Sequence, residues 1–354
     1  ISNYIAPETE TIKDNVKINP KQITITNVTG INRQYNGTTI VELTGGMLNG
    51  VITNEVTANL GIGTIISADA NDTPYTVNTD IILEGLDKDN YVLIQPDYIT
   101  VQITPMVITI DWCEDNFVYN GLDQKSNVTA SYIDVENHTI SLSTTTNTDF
   151  IFYKANGYMF TASLEGQETN YILPYNENKI YHIKKANLKD TSQGYNGIYD
   201  GLRHSIVLSA NGFINNDGFN PTTIEYGTTT DYGLINNIEE INAGTYTIYY
   251  KMTFDNYNTI ENSKEIQIAL KETAVIWDYS TLIYNGYNQS KKIIAKYKNV
   301  NYEDVTLQIL FSGDLKNAGN YTGTVKNNDC NYILTNTMLD ITIMPLQIEL
   351  TNFD

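Results

Sequence analysis

The chain has 354 residues, of which 41% are hydrophobic and 18% charged, so it carries enough apolar material for several packed cores and is not a disordered chain. Its net charge is −20, from 41 acidic and 21 basic residues, and the lysines and arginines do not cluster as a phosphate-binding surface requires. Nucleic acid is therefore not an expected partner. No run of 18 apolar residues occurs, so we expect no membrane insertion.

The residue types favour an all-β fold. Asn, Thr, Ile and Tyr dominate, and the 27 tyrosines far outnumber the 9 phenylalanines and 2 tryptophans. Thr, Ile and Tyr suit half-buried strands, and Asn suits turns. No segment shows a sustained helical period of apolar residues, whereas stretches such as 244–254 alternate in the manner of a strand.

Two short phrases recur with one period. The first is Tyr-Asn/Asp-Gly, whose tyrosines are Tyr35, Tyr119, Tyr199 and Tyr284. The second is Asn-Tyr, at positions 3–4, 90–91, 170–171, 256–257 and 331–332. Both return at intervals of roughly 80 residues, which is typical of tandem domains rather than of one large core.

In chain order, the repeats predict a series of small β-sandwiches. Residues 1–19 are interpreted as the last strands of a preceding repeat, and residues 346–354 as the first strand of a following one. Between them lie four sandwich repeats, at 20–105, 106–185, 186–270 and 271–345. Pro20, Pro105 and Pro345 end strands at the junctions. Since these junctions are only a residue or two long, we expect neighbouring repeats to contact each other and the array to form an elongated rod.

The Tyr-Asn/Asp-Gly phrase is interpreted as a structural turn. Asn or Asp followed by Gly tolerates positive φ and makes a tight turn, and the tyrosine before it supplies a ring for packing and a hydroxyl for a local hydrogen bond. The predicted turn residues are Tyr35, Asn36, Gly37, Tyr119, Asn120, Gly121, Tyr199, Asp200, Gly201, Tyr284, Asn285 and Gly286.

The succession YDGLRHSIVLSA, TTIEYGTTTDYG and NAGTYTIYYKMTFDNYN within 186–270 resembles the Ig-like repeats of large bacterial surface proteins, of the MBG type. Residues 271–345 resemble the same type through IYNGYNQSKKIIAKY and NAGNYTGTVKNNDCNYILT. Residues 20–105 are closer to the related YDG type, through RQYNGTTIVELTGG and LEGLDKDNYVLIQ. Residues 106–185 resemble a divergent MBG-like repeat. The resemblance implies tandem Ig-like β-sandwiches in secreted, adhesin-like surface proteins, and it implies no catalytic residues.

The sequence offers no pattern of an enzyme or a firm metal site. Its three histidines have no Cys or carboxylate at zinc spacing, and neither a dinucleotide-binding loop nor a nucleophile elbow is present. The acidic loops 69–75, 86–91 and 215–218 hold oxygen ligands suitable for calcium, but turn formation explains them adequately. We therefore expect no cofactor, with calcium as a weak alternative, and we expect Cys113 and Cys330 to be unpaired.

Trp112 and Trp277 each lie seven residues before the tyrosine of a Tyr-Asn/Asp-Gly phrase, in the second and fourth repeats. Because the position recurs, a structural role at the end of each sandwich is favoured. The alternative is a platform on which a sugar ring stacks.

Three functions remain open at this level. The favoured one is a structural stalk of an extracellular, cell-surface protein, whose partners are the neighbouring repeats of the same chain. The alternative is a module that binds a glycan or a host surface protein, for which the divergent repeat, residues 106–185, is the best candidate because its middle, residues 132–160, departs from the other repeats. The third is a subunit of a surface filament or layer, in which residues 1–19 pair with residues 346–354 of a neighbour.

Overall fold

The structure is a computed structural model that describes residues 17–52, 54–166 and 168–349. Within these ranges the chain is built of short β-strands, and three single-turn 3-10 helices are the helical elements. The all-β prediction is confirmed. The Asn3-Tyr4 phrase lies outside the described residues, as do most of 1–19 and the end of 346–354. No strand forms at 345–349, where the first strand of a following repeat was expected to begin.

The chain divides into two compact units. The first comprises residues 1–116, 123–150 and 154–182, and the second comprises residues 117–122, 151–153 and 183–354. The first unit thus holds the first repeat and most of the second. The second unit holds three short segments of the second repeat together with the third and fourth.

The first repeat buries the alternate side chains of its long strands. Ile23 and Ile25 are buried while their neighbours in the strand are exposed, because successive side chains in a strand point to opposite faces. Val41, Ile99 and Val101 are buried in a second cluster. The strands of this repeat are Lys21–Gly30, Arg33–Gln34, Ile40–Asn49, Thr57–Asn59, Ile62–Thr64, Tyr75–Thr76, Ile82–Glu84, Tyr91–Ile94, Thr100–Val101 and Ile103–Thr104, with a 3-10 helix at Lys88–Asn90.

The second repeat is organised around a five-stranded sheet. Its divergent segment, residues 132–160, supplies strands of this sheet, and Phe150 and Phe160 are fully buried. The strands of this repeat are Met106–Val107, Asp111–Trp112, Phe117–Val118, Ala130–Ile133, Thr139–Thr145, Tyr158–Ser163, Tyr171–Ile172, Asn178–Tyr181 and Ile183–Lys184, with a 3-10 helix at Lys125–Asn127.

The third repeat contains the longest hairpin of the chain as described, formed by Gly244–Thr253 and Ile260–Ala269. Ile248, Tyr250 and Met252 are fully buried on one face of it. The other strands of this repeat are Lys189–Asp190, Tyr195–Ile198, His204–Ser205, Ala210–Asn211, Thr223–Gly227 and Glu239–Glu240.

The fourth repeat has a core that includes Leu282, Leu315, Ile341 and Ile343. Its strands are Lys271–Ala274, Ile276–Asp278, Leu282–Ile283, Ile294–Lys298, Asp304–Leu307, Ile309–Phe311, Gly319–Val325, Tyr332–Thr335 and Met338–Met344, with a 3-10 helix at Ser290–Lys292.

One parallel pairing recurs in every repeat and places the Asn-Tyr phrase. A residue at the start of each repeat pairs in parallel with the tyrosine of the Asn-Tyr phrase of the same repeat. The four pairs are Lys21 with Tyr91, Met106 with Tyr171, Ala186 with Tyr257, and Lys271 with Tyr332. Each Asn-Tyr tyrosine therefore lies at the end of its sandwich where the chain enters.

A second parallel pairing places the Tyr-Asn/Asp-Gly phrase at the opposite end. The short strand before each phrase pairs with the last strand of its repeat, as Arg33–Gln34 does with Ile103–Thr104. The corresponding pairs in the later repeats follow the same order. The phrase therefore lies at the end of its sandwich where the chain leaves.

Candidate functional site

The backbone N–H of each Tyr-Asn/Asp-Gly tyrosine donates to a carbonyl at the end of the last strand of its repeat. The N–H to O distances are 2.8 Å from Tyr35 to Thr104, 2.9 Å from Tyr119 to Lys184, 2.9 Å from Tyr199 to Ala269, and 2.9 Å from Tyr284 to Met344. This bond fixes the phrase, which we call the corner, at the exit of each repeat.

The corner turn is stabilised by its Asn or Asp side chain. In each corner the side-chain oxygen accepts the N–H two residues farther on, for example from Leu202 to Asp200 at 2.9 Å. The other three corners use Asn36, Asn120 and Asn285 in the same way. The glycines follow with φ of 75° at Gly37, 73° at Gly121, 80° at Gly201 and 79° at Gly286, a conformation that strains any residue with a Cβ.

The Asn-Tyr tyrosines make an equally regular local contact. In each repeat the tyrosine hydroxyl accepts a backbone N–H from a Val or Ile in a loop of the same repeat. The four N–H to O distances are 3.1 Å from Ile52 to Tyr91, 3.1 Å from Val135 to Tyr171, 2.9 Å from Ile214 to Tyr257, and 2.8 Å from Val300 to Tyr332.

The corner of one repeat contacts the Asn-Tyr phrase of the next repeat. The ring of a corner tyrosine packs edge-on against the ring of the next repeat's Asn-Tyr tyrosine, with centroids 5.4 Å apart in all three cases. The pairs are Tyr35 with Tyr171 at an interplanar angle of 82°, Tyr119 with Tyr257 at 85°, and Tyr199 with Tyr332 at 78°. The first pair lies within the first unit and the other two within the second. Edge-to-face rings at this separation contribute about 0.5–1.5 kcal/mol beyond the area that they bury.

Asn170, Asn256 and Asn331, which precede the three contacting Asn-Tyr tyrosines, each form a hydrogen bond beside the corner contact. Asn170 accepts the N–H of Ala70 at 2.8 Å and donates to Asp69 at 3.0 Å. Asn331 accepts the N–H of Ala243 at 2.8 Å and donates to Asn242.

Within the second unit, Asn256 accepts the N–H of Tyr153 at 3.1 Å. Each asparagine thus satisfies a backbone donor of a loop near the corner that its own tyrosine contacts. Asn331 is buried, so its side chain and the Ala243 N–H depend on each other for a hydrogen-bond partner.

Three of the four corner glycines lie against the loop Val or Ile of the next repeat, whose backbone N–H donates to the Asn-Tyr hydroxyl. A Cβ placed on Gly37 would come within 3.0 Å of the Val135 side chain, and one on Gly201 within 2.9 Å of the Val300 side chain. Ile214 lies at 3.1 Å from the corresponding position on Gly121. The glycine is therefore required both by its positive φ and by the close approach of the next repeat's loop.

One corner contact includes a carboxylate. In the second unit the hydroxyls of Tyr119 and Tyr257 both donate to Oδ2 of Asp217, at 2.8 Å and 2.5 Å. Burial and the Asp217 carboxylate raise the pKa of Tyr119 to about 12. The pKa of Tyr257 is also raised, first by burial and then by Asp217. This contact therefore depends on both phenols keeping their protons.

The two tryptophans are half-buried against the cores of their own repeats. Trp112 packs against the cluster that contains Ala130 and Tyr132, and its ring lies 6.1 Å from that of Tyr181. Trp277 packs against both clusters of the fourth repeat, and its Nε1–H donates to the carbonyl of Asn336 at 2.9 Å. This placement gives no support to a sugar-stacking platform at either ring, and that role stays an untested prediction.

The histidines are each paired with a nearby aspartate. The nitrogen-to-oxygen distances are 3.2 Å for His138 with Asp134, 3.0 Å for His182 with Asp115, and 2.9 Å for His204 with Asp200. In residues 17–52, 54–166 and 168–349, no three His, Cys, Asp or Glu side chains are grouped as metal ligands.

The acidic loops considered for calcium use their carboxylates in hydrogen bonds within the protein, and calcium binding there stays a prediction. Asp69 accepts from Ser67 and Asn170, and Asp87 accepts from Asn90. Asp217, in the third loop, accepts from Tyr119 and Tyr257. Cys113 and Cys330 are free thiols.

The first repeat matches a known domain family. Residues 19–100 match the YDG domain. This YDG domain covers the first repeat, which contains the first corner and the Asn90-Tyr91 phrase. The predicted resemblance of this repeat to the YDG type is confirmed.

Several solved structures of extracellular repeat proteins are similar to the chain. The S-layer protein rSbsC is 12% identical with a TM-score of 0.22, and the alignment covers 92% of this chain and 54% of that one, so the chain spans about half of its length. A Ca²⁺-stabilised adhesin that helps an Antarctic bacterium reach out and bind ice is 8% identical, with 93% and 100% covered and a TM-score of 0.27. Immunoglobulin domains 1–5 of Sidekick-1 are 9% identical, with 91% and 80% covered and a TM-score of 0.26.

No curated protein matches the chain. Among the residues described, no helix is long and apolar enough to cross a membrane.

Proposed function

We propose that the chain is a structural repeat region of an extracellular surface protein, which holds other parts of that protein at a distance from the surface. The observation that carries this proposal is the corner contact. The same Tyr, Gly, Asn and Tyr residues meet three times with ring separations of 5.4 Å. A spacer needs every junction between its domains to be held, and a repeated set of junction residues meets that need.

The use of the aromatic residues supports the same function. Three corner tyrosines and the three Asn-Tyr tyrosines that they contact are engaged at the junctions, and both tryptophans pack against the cores. A glycan-binding site needs exposed rings beside polar groups on one concave face, whereas these rings face other parts of the protein. The glycan-binding or host-protein-binding module is therefore the less supported alternative.

The high acidic charge suits an extended arrangement of repeats. A net charge of −20 keeps neighbouring chains apart in solution and discourages collapse of one repeat onto another. The boundaries 20–105, 106–185, 186–270 and 271–345 are proposed as the domains of this spacer. No catalytic role is proposed for any residue, and calcium is not required for the contacts described.

Small-angle scattering of the purified chain tests the spacer. We expect the profile of an elongated particle, and this profile should be unchanged by a calcium chelator. A profile typical of one compact particle of 354 residues would contradict the proposal.

A glycan array tests the alternative. We expect no reproducible binding. A hit that is lost in Trp112→Ala, with an unchanged melting temperature, would favour the binding module instead.

A further inference from the structure

The third repeat contains a small cleft at the end of its sandwich where the chain enters. The cleft has a volume of about 180 Å³, and its lining combines three aromatic rings, Phe213, Phe254 and Tyr257, with two carboxylates, Asp217 and Asp255. All five residues belong to the second unit and lie far along the chain from either end of the described ranges. The cleft is therefore a feature of a complete repeat.

The rings form a packed cluster that leaves part of its surface to solvent. Phe213 packs against Phe254 and Tyr257, with ring centroids 5.9 Å and 5.3 Å apart. Phe254 and Tyr257 are buried, whereas Phe213 is half-buried. Phe219 is exposed and lies 6.5 Å from Phe213 and 6.3 Å from Phe254. A cation beside such rings is attracted by the negative charge of their faces.

The two carboxylates have no cationic partner among the described residues. Asp217 accepts both of its side-chain hydrogen bonds, from Tyr119 and Tyr257, at Oδ2. Asp255 accepts the Thr222 hydroxyl at Oδ1. None of the ion pairs of the described residues includes either aspartate. One oxygen of each carboxylate therefore remains as an acceptor for a positively charged donor.

Lys185 contacts the edge of this aromatic cluster but does not line the cleft. Its Nζ donates to the carbonyl of Phe254 at 2.6 Å and lies 4.8 Å from the centroid of the Tyr153 ring. On the neighbouring surface, a lysine ammonium thus already combines an oxygen acceptor with an aromatic ring. The cleft offers the same combination with carboxylates in place of the carbonyl.

We propose that this cleft binds a primary alkylammonium group, the terminal group of a lysine side chain on a partner polypeptide. Such a group has three N–H donors. The acceptors are Asp217 Oδ1, Asp255 Oδ2 and the side-chain oxygen of Asn220, which also lines the cleft. The alkyl stem packs against the ring of Phe213.

The size and chemistry of the cleft favour this occupant over larger or harder ligands. Pockets for drug-sized molecules have volumes of roughly 300–1,000 Å³, so a cleft of about 180 Å³ suits the end of one side chain. Calcium takes roughly six to eight oxygen ligands, whereas ring carbons form much of this lining. The inference goes beyond the spacer function, because a spacer can present this cleft with its junctions unchanged.

Amide NMR spectra of the whole chain test the proposal. The probe is N-acetyl-lysine N-methylamide, which carries the side-chain ammonium without a free carboxylate. We expect saturable shifts of the Gly218 and Asn256 amides with a dissociation constant on the order of 1 mM, because exposed ion pairs and ring contacts are individually weak. Raising the salt from about 0.01 M to about 1 M should weaken binding several-fold, since it shortens the Debye length from about 30 Å to about 3 Å.

Two variants separate the contribution of the charge from that of the ring. Asp255→Asn keeps an acceptor for Thr222 and removes one charge, so it should weaken binding about tenfold. Phe213→Leu keeps an apolar side chain and removes the ring, so it should weaken binding about threefold. Asp231→Asn is the matched control, because it removes the same charge from an exposed residue of the third repeat outside the cleft. It should bind like the parent chain.

Three further ligands define the chemical class. The same probe acetylated at its side-chain nitrogen is neutral and should not bind. Choline has no N–H donor and should bind more weakly than the lysine probe. Calcium chloride, compared at equal ionic strength, should leave binding of the lysine probe unchanged.

Three results with the lysine probe would overturn the proposal. They are the absence of saturable shifts at these amides up to about 20 mM, equal binding of the acetylated probe, and equal binding by Asp255→Asn and the parent chain. Stronger binding of choline, or displacement of the probe by calcium, would also overturn it by assigning the cleft to a quaternary ammonium or to a metal ion. None of these results bears on the spacer function, which the scattering profile tests separately.

Discussion

The third and fourth corners have the same local structure and different surroundings. Gly201 and Gly286 have φ of 80° and 79°, and both follow an Asp or Asn that accepts the N–H two residues on. Val300 packs against Gly201, whereas the space around Gly286 is open. The turn is therefore complete without a neighbour, and the tyrosine and glycine gain their second role only where the next repeat covers them.

The largest difference in stability between the covered third corner and the open fourth corner is expected when a tyrosine ring is removed. Tyr332→Ala removes a buried ring that contacts Tyr199 and Tyr297, together with the acceptor of the Val300 N–H. The expected cost is about 3–5 kcal/mol of the free energy of unfolding of the fourth repeat, as for other large aromatic truncations.

Tyr284→Ala at the open corner is the matched control, and it should cost about 1 kcal/mol or less because that ring is partly exposed. Urea unfolding with hydrogen exchange resolved by repeat measures both. Equal losses would show that the corner contact contributes little.

The next largest difference in stability is expected between substitutions of the two corner glycines. Gly201→Val and Gly286→Val both impose a β-branched residue on positive φ, at about 1–3 kcal/mol each. Gly201→Val should cost about 1–3 kcal/mol more, because its side chain also collides with Val300. Thermal unfolding of the two variants measures the difference, and losses of the same size would mean that Val300 moves aside without cost.

A smaller effect is expected at the asparagines. Asn331→Ala removes a buried side chain and leaves the half-buried Ala243 N–H without its acceptor, which should cost about 1–3 kcal/mol. Asn317→Ala, at the exposed loop of the open corner, should change stability by less than about 0.5 kcal/mol. Amide exchange of the peptide containing Ala243 should accelerate in the first variant alone. Unchanged protection there would indicate that water replaces the asparagine.

The smallest effect on stability is expected from raising the pH, through the Tyr119 hydroxyl at the second corner. The pKa of Tyr119 is raised to about 12 in the folded protein, above its ordinary value near 10, so folding favours the protonated phenol. Its contribution is complete below about pH 10 and is lost as the pH rises to about 12, because the unfolded chain loses this proton first.

Absorbance titration of tyrosinate, with unfolding measured along the same pH series, tests this. Tyr119→Phe should reduce the alkaline loss of stability of the second unit, while Asp217 keeps the Tyr257 hydroxyl as a donor. An identical alkaline loss in the variant would assign it to other phenols.

Much of the local structure could be predicted from the sequence. The alternation of Ile248, Tyr250 and Met252 with polar neighbours requires a strand, and the Asn/Asp-Gly pair permits a turn at positive φ, so both depend on residues close in the chain. The four repeats follow from the period of two phrases. The elongated arrangement of those repeats stays a prediction.

The structural role of the Asn-Tyr phrase could not be predicted from the sequence. Asn-Tyr served as a marker of the period, and its hydroxyl bond to Val135, Ile214 or Val300 was not foreseen, because those loop residues lie 32–43 positions away with no shared spacing. The divergent segment 132–160 supplies strands of the five-stranded sheet, since its alternating residues suit a sheet despite its unfamiliar sequence, and binding by the divergent repeat stays a prediction.

The sequence by itself determined the strands, the turns and the repeat, since these arise from neighbouring residues and their period. Only the tertiary structure decided that Tyr35, Tyr119 and Tyr199 meet the Asn-Tyr phrases of the repeats that follow them. The physical reason is that parallel pairing places one phrase at the exit of each sandwich and the other at the entrance of the next, and this pairing joins residues more than 60 positions apart. A local pattern cannot encode which distant surface will cover a ring, so the two phrases become one site only when the chain is folded.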